Sequence, residues 1–384
     1  MSIPQAMRQP PSLKLASNLF LLFWLILAAF PLVWILAMSF KSPVDAFSAS
    51  AWDVLRGPRT LSDGHGLSVV DIVLGVAVIW LSIKAGTRWL VPMAAGEGTL
   101  QRIFSWAVIA LGFALLFIIG FFVIVPWVAG PLNASLGPLG RPVLGLTTQH
   151  YESVWIDNAF YENLQNSMIV TFGVVTVSLT VGTLAGYGLA RSGSTLAFWI
   201  LIIALIFRAL PHSVLVAGYL PVFINSAEIL RPILGDNAPT LYGQPLAVIA
   251  VLVSINQPFT IWMLRSFFQS IPVDLDESAR VDGCTHFQAF RWVIMPVMWP
   301  GVITTGLFSF LLAYNDFLVA SLLLDASNQT MVPAIVGYFN RETTTTDQVE
   351  AIAAAVSITA PLFLLVMIFQ RQIVSGLTAG AVKG

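Results

Sequence analysis

Apolar positions along the chain gather into long runs separated by short polar breaks. A bilayer core about 30 Å thick needs about 20 apolar residues in a helix rising about 1.5 Å per residue. Eight runs of that order stand near 19–38, 69–86, 103–128, 166–190, 196–224, 243–264, 297–323 and 351–370. The second is the weakest, with Asp71 and Lys84 at its edges. The first follows Arg8 and Lys14 as a signal peptide would, but its 20 residues exceed an h-region of about 7–15, so it reads as an uncleaved anchor. The pattern predicts an all-α, polytopic membrane protein with about eight transmembrane helices.

Composition agrees. Of 384 residues, 57% are hydrophobic and only 10% charged, against roughly a quarter charged in soluble domains. So few charges exclude a water-facing globule and suit a hydrocarbon-facing surface. A net charge of −1 gives no basic surface for nucleic acid. The lone Cys284 excludes an internal disulfide, and His65, His150, His212 and His286 are too scattered for a metal cluster, so no metal is expected. Lys and Arg collect on the cytoplasmic side of membrane proteins. With the N-terminus inside, the inner segments hold eleven of them (Arg8, Lys14, Lys84, Arg88, Arg102, Arg191, Arg265, Arg280, Arg291, Arg371, Lys383) and the outer segments six (Lys41, Arg56, Arg59, Arg141, Arg231, Arg341). Both termini are therefore expected in the cytoplasm. Gly182 and Gly186 form a G-x-x-x-G spacing that either permits close helix packing or is a coincidence of a glycine-rich chain.

The most organised polar segment lies between the sixth and seventh runs, from Ile271 to Pro296. Pro272 precedes a helix start, Asp274, Asp276 and Glu277 load the first turn, and Gly283 supplies a left-handed stop. Asp276 and Arg280 stand at i and i+4 as an ion pair. Thr285 and Gln288 form a capping box for a second helix with an apolar stripe of Phe287, Phe290 and Ile294, expected to end at Pro296. A short helix, a glycine corner and an amphipathic helix thus project from the membrane, as a connector or as a lever.

The spacing Glu277-Ser278-Ala279, three residues, Gly283, nine residues, Val293-x-Met295-Pro296 resembles the EAA loop of ABC importer permeases. The family pattern there is Glu-Ala-Ala, x3, Gly, x9, Ile-x-Leu-Pro; Ser278, Val293 and Met295 depart from it as small or near-isosteric exchanges. Leu19–Pro43 and Thr147–Arg191, with Ala185-Gly-Tyr-Gly-Leu-Ala-Arg191, are similar to the first two core helices of the carbohydrate branch. Pro258–Arg265 and Tyr314-Asn-Asp-Phe317 fit its later elements, and the tail Gly376–Gly384 resembles that of the smaller maltose-type permease subunit. The resemblance leaves out about 50–145. It implies a cytoplasmic N-terminus at 1–18, a first core helix at 19–48, an inserted region with two extra spans at 49–145, a core of 146–371 containing the EAA loop 265–296, and a cytoplasmic tail at 372–384. The core then has six helices, and an even number of inserted spans keeps loop and tail on the inner side.

The resemblance further implies transport without catalysis by this chain. It contains no G-x-x-x-x-G-K-[ST] loop, so it is expected to bind no cofactor, with ATP and Mg on a partner ATPase dimer. A second permease subunit, an extracytoplasmic solute-binding protein, a sugar substrate and the lipid bilayer complete the expected partners, with residues 324–349 open between a contact for the binding protein and a solvated loop. Glu277, Ser278, Ala279, Asp282, Gly283 and Pro296 are the expected ATPase-coupling residues, and Thr378, Gly380 and Lys383 are candidates for a further contact from the tail. Polar residues inside spans mark a pathway or bind helices together: Arg208, Asn256, Gln257, Tyr314, Asn315 and Asp316 stand open between the two roles. The competing reading is an ion-coupled secondary transporter of a small polar solute, which calls for internal repeats or membrane carboxylates. An intramembrane enzyme calls for a nucleophile and base, which His212 alone does not supply.

Overall fold

A computed structural model of the chain describes residues 11–86, 119–208, 210–340 and 344–379, with 88, 108, 109, 112, 113 and 115 in between. Five of its helices are long and apolar enough to cross a membrane, and a sixth span results if the bent pair Thr195–Phe207 and His212–Ile224 is one. The expected second span is a 17-residue helix, Val69–Ala85. Most of the third, at 103–128, lies outside the described residues. Two compact units divide the chain, Met1–Val154 with Tyr338–Ser357, and Trp155–Gly337 with Ile358–Gly384.

In the first unit, α1 (Pro11–Met38) is apolar on every side and exposed along most of its length, a surface stable only in hydrocarbon. Beyond it the chain makes three short helical turns, then β1 (Leu67–Ser68), α2 (Val69–Ala85), α3 (Val125–Ser135) and β2 (Pro142–Leu144). The two strands pair antiparallel, Leu67 opposite Leu144. Ser68 and Asp71 form a capping box at the start of α2, and Ser68 Oγ donates to Asn133 Oδ1 of α3 at 2.8 Å. Lys41 is buried; its Nζ donates to Leu55 O at 2.8 Å and to Gly145 O. Burial holds the Lys41 ammonium below its ordinary value, against the pull of Asp45. Burial also opposes the charge on Asp45, but hydrogen bonds from the Thr60 and Arg59 amides and the Thr60 and Ser42 hydroxyls outweigh it and keep that carboxyl below the ordinary range. His150 Nε2–H donates to the Lys41 carbonyl at 2.9 Å.

The second unit holds α4 (Phe160–Arg191), α5 (Thr195–Phe207), α6 (His212–Ile224), α7 (Ser226–Leu234), α8 (Pro245–Gln269), α9 (Asp274–Val281), α10 (His286–Tyr314) and α11 (Leu318–Leu323), while α12 (Met331–Asn340) and α13 (Thr345–Ala379) run through both units. Its centre is the α4–α8–α10 packing. A Cβ at Gly182 would stand 2.6 Å from Thr260 Cγ2, and one at Gly186 3.1 Å from the Arg265 amide nitrogen, so the G-x-x-x-G spacing is a true close approach of α4 to α8. Val170, Val174, Val251, Leu252 and Ile255 bury alongside it. The segment 324–349, expected as a loop that either meets a solute-binding protein or is merely solvated, contains helix α12, because Met331 is buried with its amide on Ser167 Oγ at 2.8 Å.

A side chain at Gly186 must push α8 away, so Gly186→Leu is expected to lose about 1–3 kcal/mol in thermal unfolding, whereas Gly188→Ala, with open space around it, is expected to lose none. Burial lowers the affinity of His150 for a proton below the ordinary 6.5, although the Lys41 carbonyl and Glu350 favour the charged form. The unfolded chain then binds the extra proton as pH falls through 6.5, so the first unit loses stability on acidification. His150→Gln is expected to flatten that loss in an unfolding series from pH 8 to 5.

Candidate functional site

The segment between α8 and α10 folds as a stub. Helix α9 starts with Asp274, Asp276 and Glu277 in its first turn, where exposed amides and the helix dipole favour negative charge. It closes with Cys284 N–H on Ala279 O at 3.0 Å and Gly283 N–H on Arg280 O at 3.1 Å, the two bonds of a Schellman stop, and Gly283 has φ +90°. Nothing stands near a Gly283 Cβ, so the glycine is required by backbone angle and not by packing within this chain. Thr285 and Gln288 make the predicted capping box.

Two expectations are corrected here. The second helix does not end at Pro296. A wide turn over Phe290–Ile294, with Met295 N–H bonded five residues back to Phe290 O, precedes the proline, and the helix continues to Tyr314. Pro296 then stands in the first turn of the renewed α-helix, where the extra residue of a π-turn makes room for a ring without a donor.

Nor is Asp276 an exposed partner of Arg280. It is buried, accepting from Tyr187 Oη at 2.6 Å and from Arg191 Nε at 2.8 Å, with the two ion-pair side chains 11% and 16% exposed. Arg191 also donates to the carbonyls of Phe268 (3.3 Å) and Ile271 (3.2 Å), the end of α8 where backbone acceptors lack intrahelical donors. A half-buried arginine with three acceptors outweighs an exposed i, i+4 pair worth a few tenths of a kcal/mol, and Arg280 remains exposed. Tyr187 and Arg191 extend the α4 face of buried Thr183, a periodicity visible in the sequence although its distant partner is not.

Beneath the latch, Leu264, Phe268, Ile271, Phe290, Ile294 and Met298 form one apolar cluster, against which Tyr187 and Ala190 of α4 pack. Ala279 is buried in the stub, while Glu277, Ser278, Asp282, Gly283 and Pro296 are exposed. Phe287, expected inside the stripe, is 63% exposed, and Val281 at the tip is 88% exposed. Val281 was not singled out from sequence; it stands five residues beyond Asp276, and so opposite the buried face, which is the readable sign.

The intramembrane polar residues separate. Asn256 is buried with Nδ2 on Ser309 Oγ at 2.7 Å, joining α8 to α10. Tyr314 is buried, its hydroxyl donating to Ile358 O at 3.1 Å and its ring stacked on Phe310. Asp316 accepts the Ala320 amide at 2.9 Å, and Asn315 donates to Leu311 O at 3.0 Å. Gln257 donates to Ser178 O at 3.3 Å, but its buried Oε1 has no partner among the described residues. Arg208 caps α5, its guanidinium 4.6 Å above the Phe259 ring. Thr378 is in the last turn of α13; Gly380 and Lys383 lie outside the described residues. No group of three metal-ligating side chains occurs among the described residues.

Residues 178–378, from the middle of α4 through the stub and into α13, match the family described as binding-protein-dependent transport system inner membrane component. The chain belongs to this family. As such a component it is a membrane permease subunit. It is 32% identical over 297 residues to the trehalose transport system permease protein SugB of Mycobacterium tuberculosis, covering 74% of this chain and 99% of that one. It is 33% identical over 241 residues to the diacetylchitobiose uptake system permease protein DasC of Streptomyces coelicolor, covering 62% and 82%. Among solved structures it is similar to a bacterial ABC transporter involved in import of the acidic polysaccharide alginate, with 17% identity, a TM-score of 0.48 and coverage of 72% and 98%.

Removing one member of the latch strands the other in a buried setting. Asp276→Ala and Arg191→Met are each expected to cost about 3–5 kcal/mol. The double variant should cost less than their sum, with a positive coupling in a double-mutant cycle read by unfolding of the purified permease.

Proposed function

We propose that this permease is one of two membrane subunits of an ATP-driven importer of a carbohydrate, and that its stub is the part a separate ATPase dimer moves. The observation that carries the proposal is the combination of a stiff root and a bare tip. Asp276 and the apolar cluster hold α9 to α4, α8 and α10, while Glu277, Ser278, Val281 and Asp282 present a mixed acidic and apolar surface. Acidic rims steer toward basic partners, and a desolvated apolar centre supplies affinity. Ala279 serves this surface from beneath, by packing.

The chain has no phosphate-cradling loop, so ATP and Mg belong to the ATPase. Closure of that dimer draws the stubs together and rocks the attached helices between inward-open and outward-open arrangements, a rigid-body transition between two states. The stub and both termini face the cytoplasm in this reading, which the Lys and Arg distribution supports. An extracytoplasmic solute-binding protein delivers the sugar, and a second permease supplies the other half of the path. The relatives named for trehalose and diacetylchitobiose support a carbohydrate cargo. Residues 49–145 form an insertion outside the transport core, and the tail at Thr378, Gly380 and Lys383 adds to the ATPase contact.

Glu277→Lys and Val281→Asp change exposed side chains, so both are expected to leave unfolding within about 0.5 kcal/mol of the parent while lowering co-purification of the ATPase and sugar-stimulated hydrolysis at least tenfold. Gly283→Val forces a branched residue into φ +90° and should do the same with an added stability loss of about 1–2 kcal/mol. A stable complex with no nucleotide-hydrolysing chain, or labelling of a cysteine at position 281 only from outside, overturns the proposal.

A further inference from the structure

Helix α8 crosses the bilayer once and ends at the stub, so its start at Pro245 lies on the opposite face of the membrane. The connection that leads into it from the end of α6 at Ile224 lies on that face too. Hydrogen bonds tie this connection to the bundle. Ser226 Oγ donates to Phe223 O and accepts the Leu241 amide, both at 2.7 Å, and the Gly243 amide donates to Leu323 O at 2.8 Å. From the first of these ties runs α7, nine residues or about 14 Å long, which Gly235 stops at φ +72°.

Helix α7 leaves the bundle as it runs. Its first residue, Ser226, is buried, whereas Ile229 is 54% and Ile233 81% exposed, and Leu234 is exposed as well. At about 100° per residue, Ile229, Leu230, Ile233 and Leu234 fall within about 140° of the helix circumference, and Glu228 and Arg231 lie on the other side. The polar side is at home in water: Arg231 Nη2 pairs with Asp236 Oδ1 at 2.6 Å, with both side chains mostly exposed. The apolar side is not. A helix this short is marginal in water by itself, so its aliphatic face needs a cover.

Place, continuity and chemistry all name lipid as that cover. The helix stands beside the ends of two membrane helices, at the level where hydrocarbon gives way to water. The exposed Val222 and Ile224 at the end of α6, a surface that belongs in hydrocarbon, lead directly into Ile229 and Ile233. The centres of protein interfaces are enriched in aromatic residues, but this face is aliphatic throughout. A helix charged on one side and aliphatic on the other, at the edge of a span, is of the kind that lies in the headgroup layer with its apolar side chains in the acyl boundary.

We propose that α7 is an interfacial anchor whose partner is the phospholipid surface of the leaflet opposite the stub. Ile229, Ile233 and Leu234 enter the acyl boundary, while Glu228, Arg231 and Asp236 stay among hydrated headgroups. The anchor fixes the level of the α6–α8 connection in the bilayer. It requires only that α6 and α8 are membrane helices, and so stands apart from the cargo and the ATPase proposed above.

The test uses the full-length permease, with the subunits that co-purify with it, in vesicles of phosphatidylethanolamine and phosphatidylglycerol. In a Cys284→Ser background, a nitroxide is attached in turn to Glu228→Cys, Ile229→Cys, Arg231→Cys and Ile233→Cys. All four sites are exposed, so the substitutions leave the core intact. Collisions of each nitroxide with membrane-soluble oxygen and with a water-soluble nickel chelate are then measured. The two are expected to alternate out of phase, with the oxygen-to-nickel ratio about tenfold higher at 229 and 233 than at 228 and 231. Shielding of 229 and 233 from both reagents means that a protein covers the face and overturns the proposal. Free access of the nickel chelate to all four sites places α7 in water, and high oxygen with low nickel at all four places it within hydrocarbon; either overturns the proposal as well.

Discussion

The buried carboxylate of Asp276 is the constraint on which the stub depends. Three elements come together at the root of the stub and need one another's polar groups there. Helix α4 ends with the Arg191 guanidinium, α8 ends with carbonyls that have no helical donors, and α9 begins with a carboxylate close to its own unpaired amides. Brought together, each satisfies another. The ion pair alone would be weak evidence for stability, since desolvation consumes much of a buried pair's attraction. Here the arginine's two other nitrogens also donate, one bond each, so the arrangement specifies one position of α9 relative to α4 and α8. Any sideways displacement breaks a charge-assisted bond in a place where water does not fully replace it.

Stiffness is then continued into α10 by backbone geometry. Gly283 turns the chain sharply, Thr285 and Gln288 start the next helix at once, and the π-turn at Phe290–Ile294 carries it past Pro296 without a break. The apolar cluster below fills the angle between α8 and α10, and the glycine seam of Gly182 and Gly186 holds α4 and α8 at backbone distance. A force applied to the tip therefore reaches three membrane helices with little lost in bending. In the proposed mechanism this is what an ATPase needs, because packed helices are bistable and not continuously deformable.

What was legible in the sequence follows the range of the interactions. Caps, the glycine stop and the acidic first turn are decided within four or five residues, and the structure has each of them. The apolar runs in the second unit appear as helices because hydrocarbon length is a local count. The latch was not legible: Asp276 has an adequate partner four residues away in Arg280, and choosing Arg191, 85 positions upstream, requires knowing which face of α9 is buried. Asn256 and Tyr314 went the same way. Inside a span an amide or hydroxyl is as useful for joining helices as for holding a ligand, and only Ser309 and the Ile358 carbonyl decide between the two. Arg208 differs because its one contact of this kind among the described residues is the Phe259 ring.

The proposed insertion, residues 49–145, raises the question of how a permease accepts 97 additional residues without disturbing its core, and the answer is in how the ends are held. Closing a loop costs entropy that grows only with the logarithm of its length, about 0.6 kcal/mol for each doubling, so length is a minor obstacle once the ends are fixed. They are fixed closely: Gly145 N–H donates to Arg56 O, Thr147 N–H to Phe40 O, and Lys41 Nζ, just ahead of the segment, bonds carbonyls near its two ends, at Leu55 and Gly145. An ammonium ion is well suited to this place, since it has three donors and no acceptor and so draws together carbonyls from separate strands of chain. The chain leaves and returns at one point, so whatever hangs between need only begin and end on the same face of the membrane. In the proposed topology an even number of spans meets that condition, and the antiparallel pairing of β1 with β2 at the root of the insertion is the local geometry it requires.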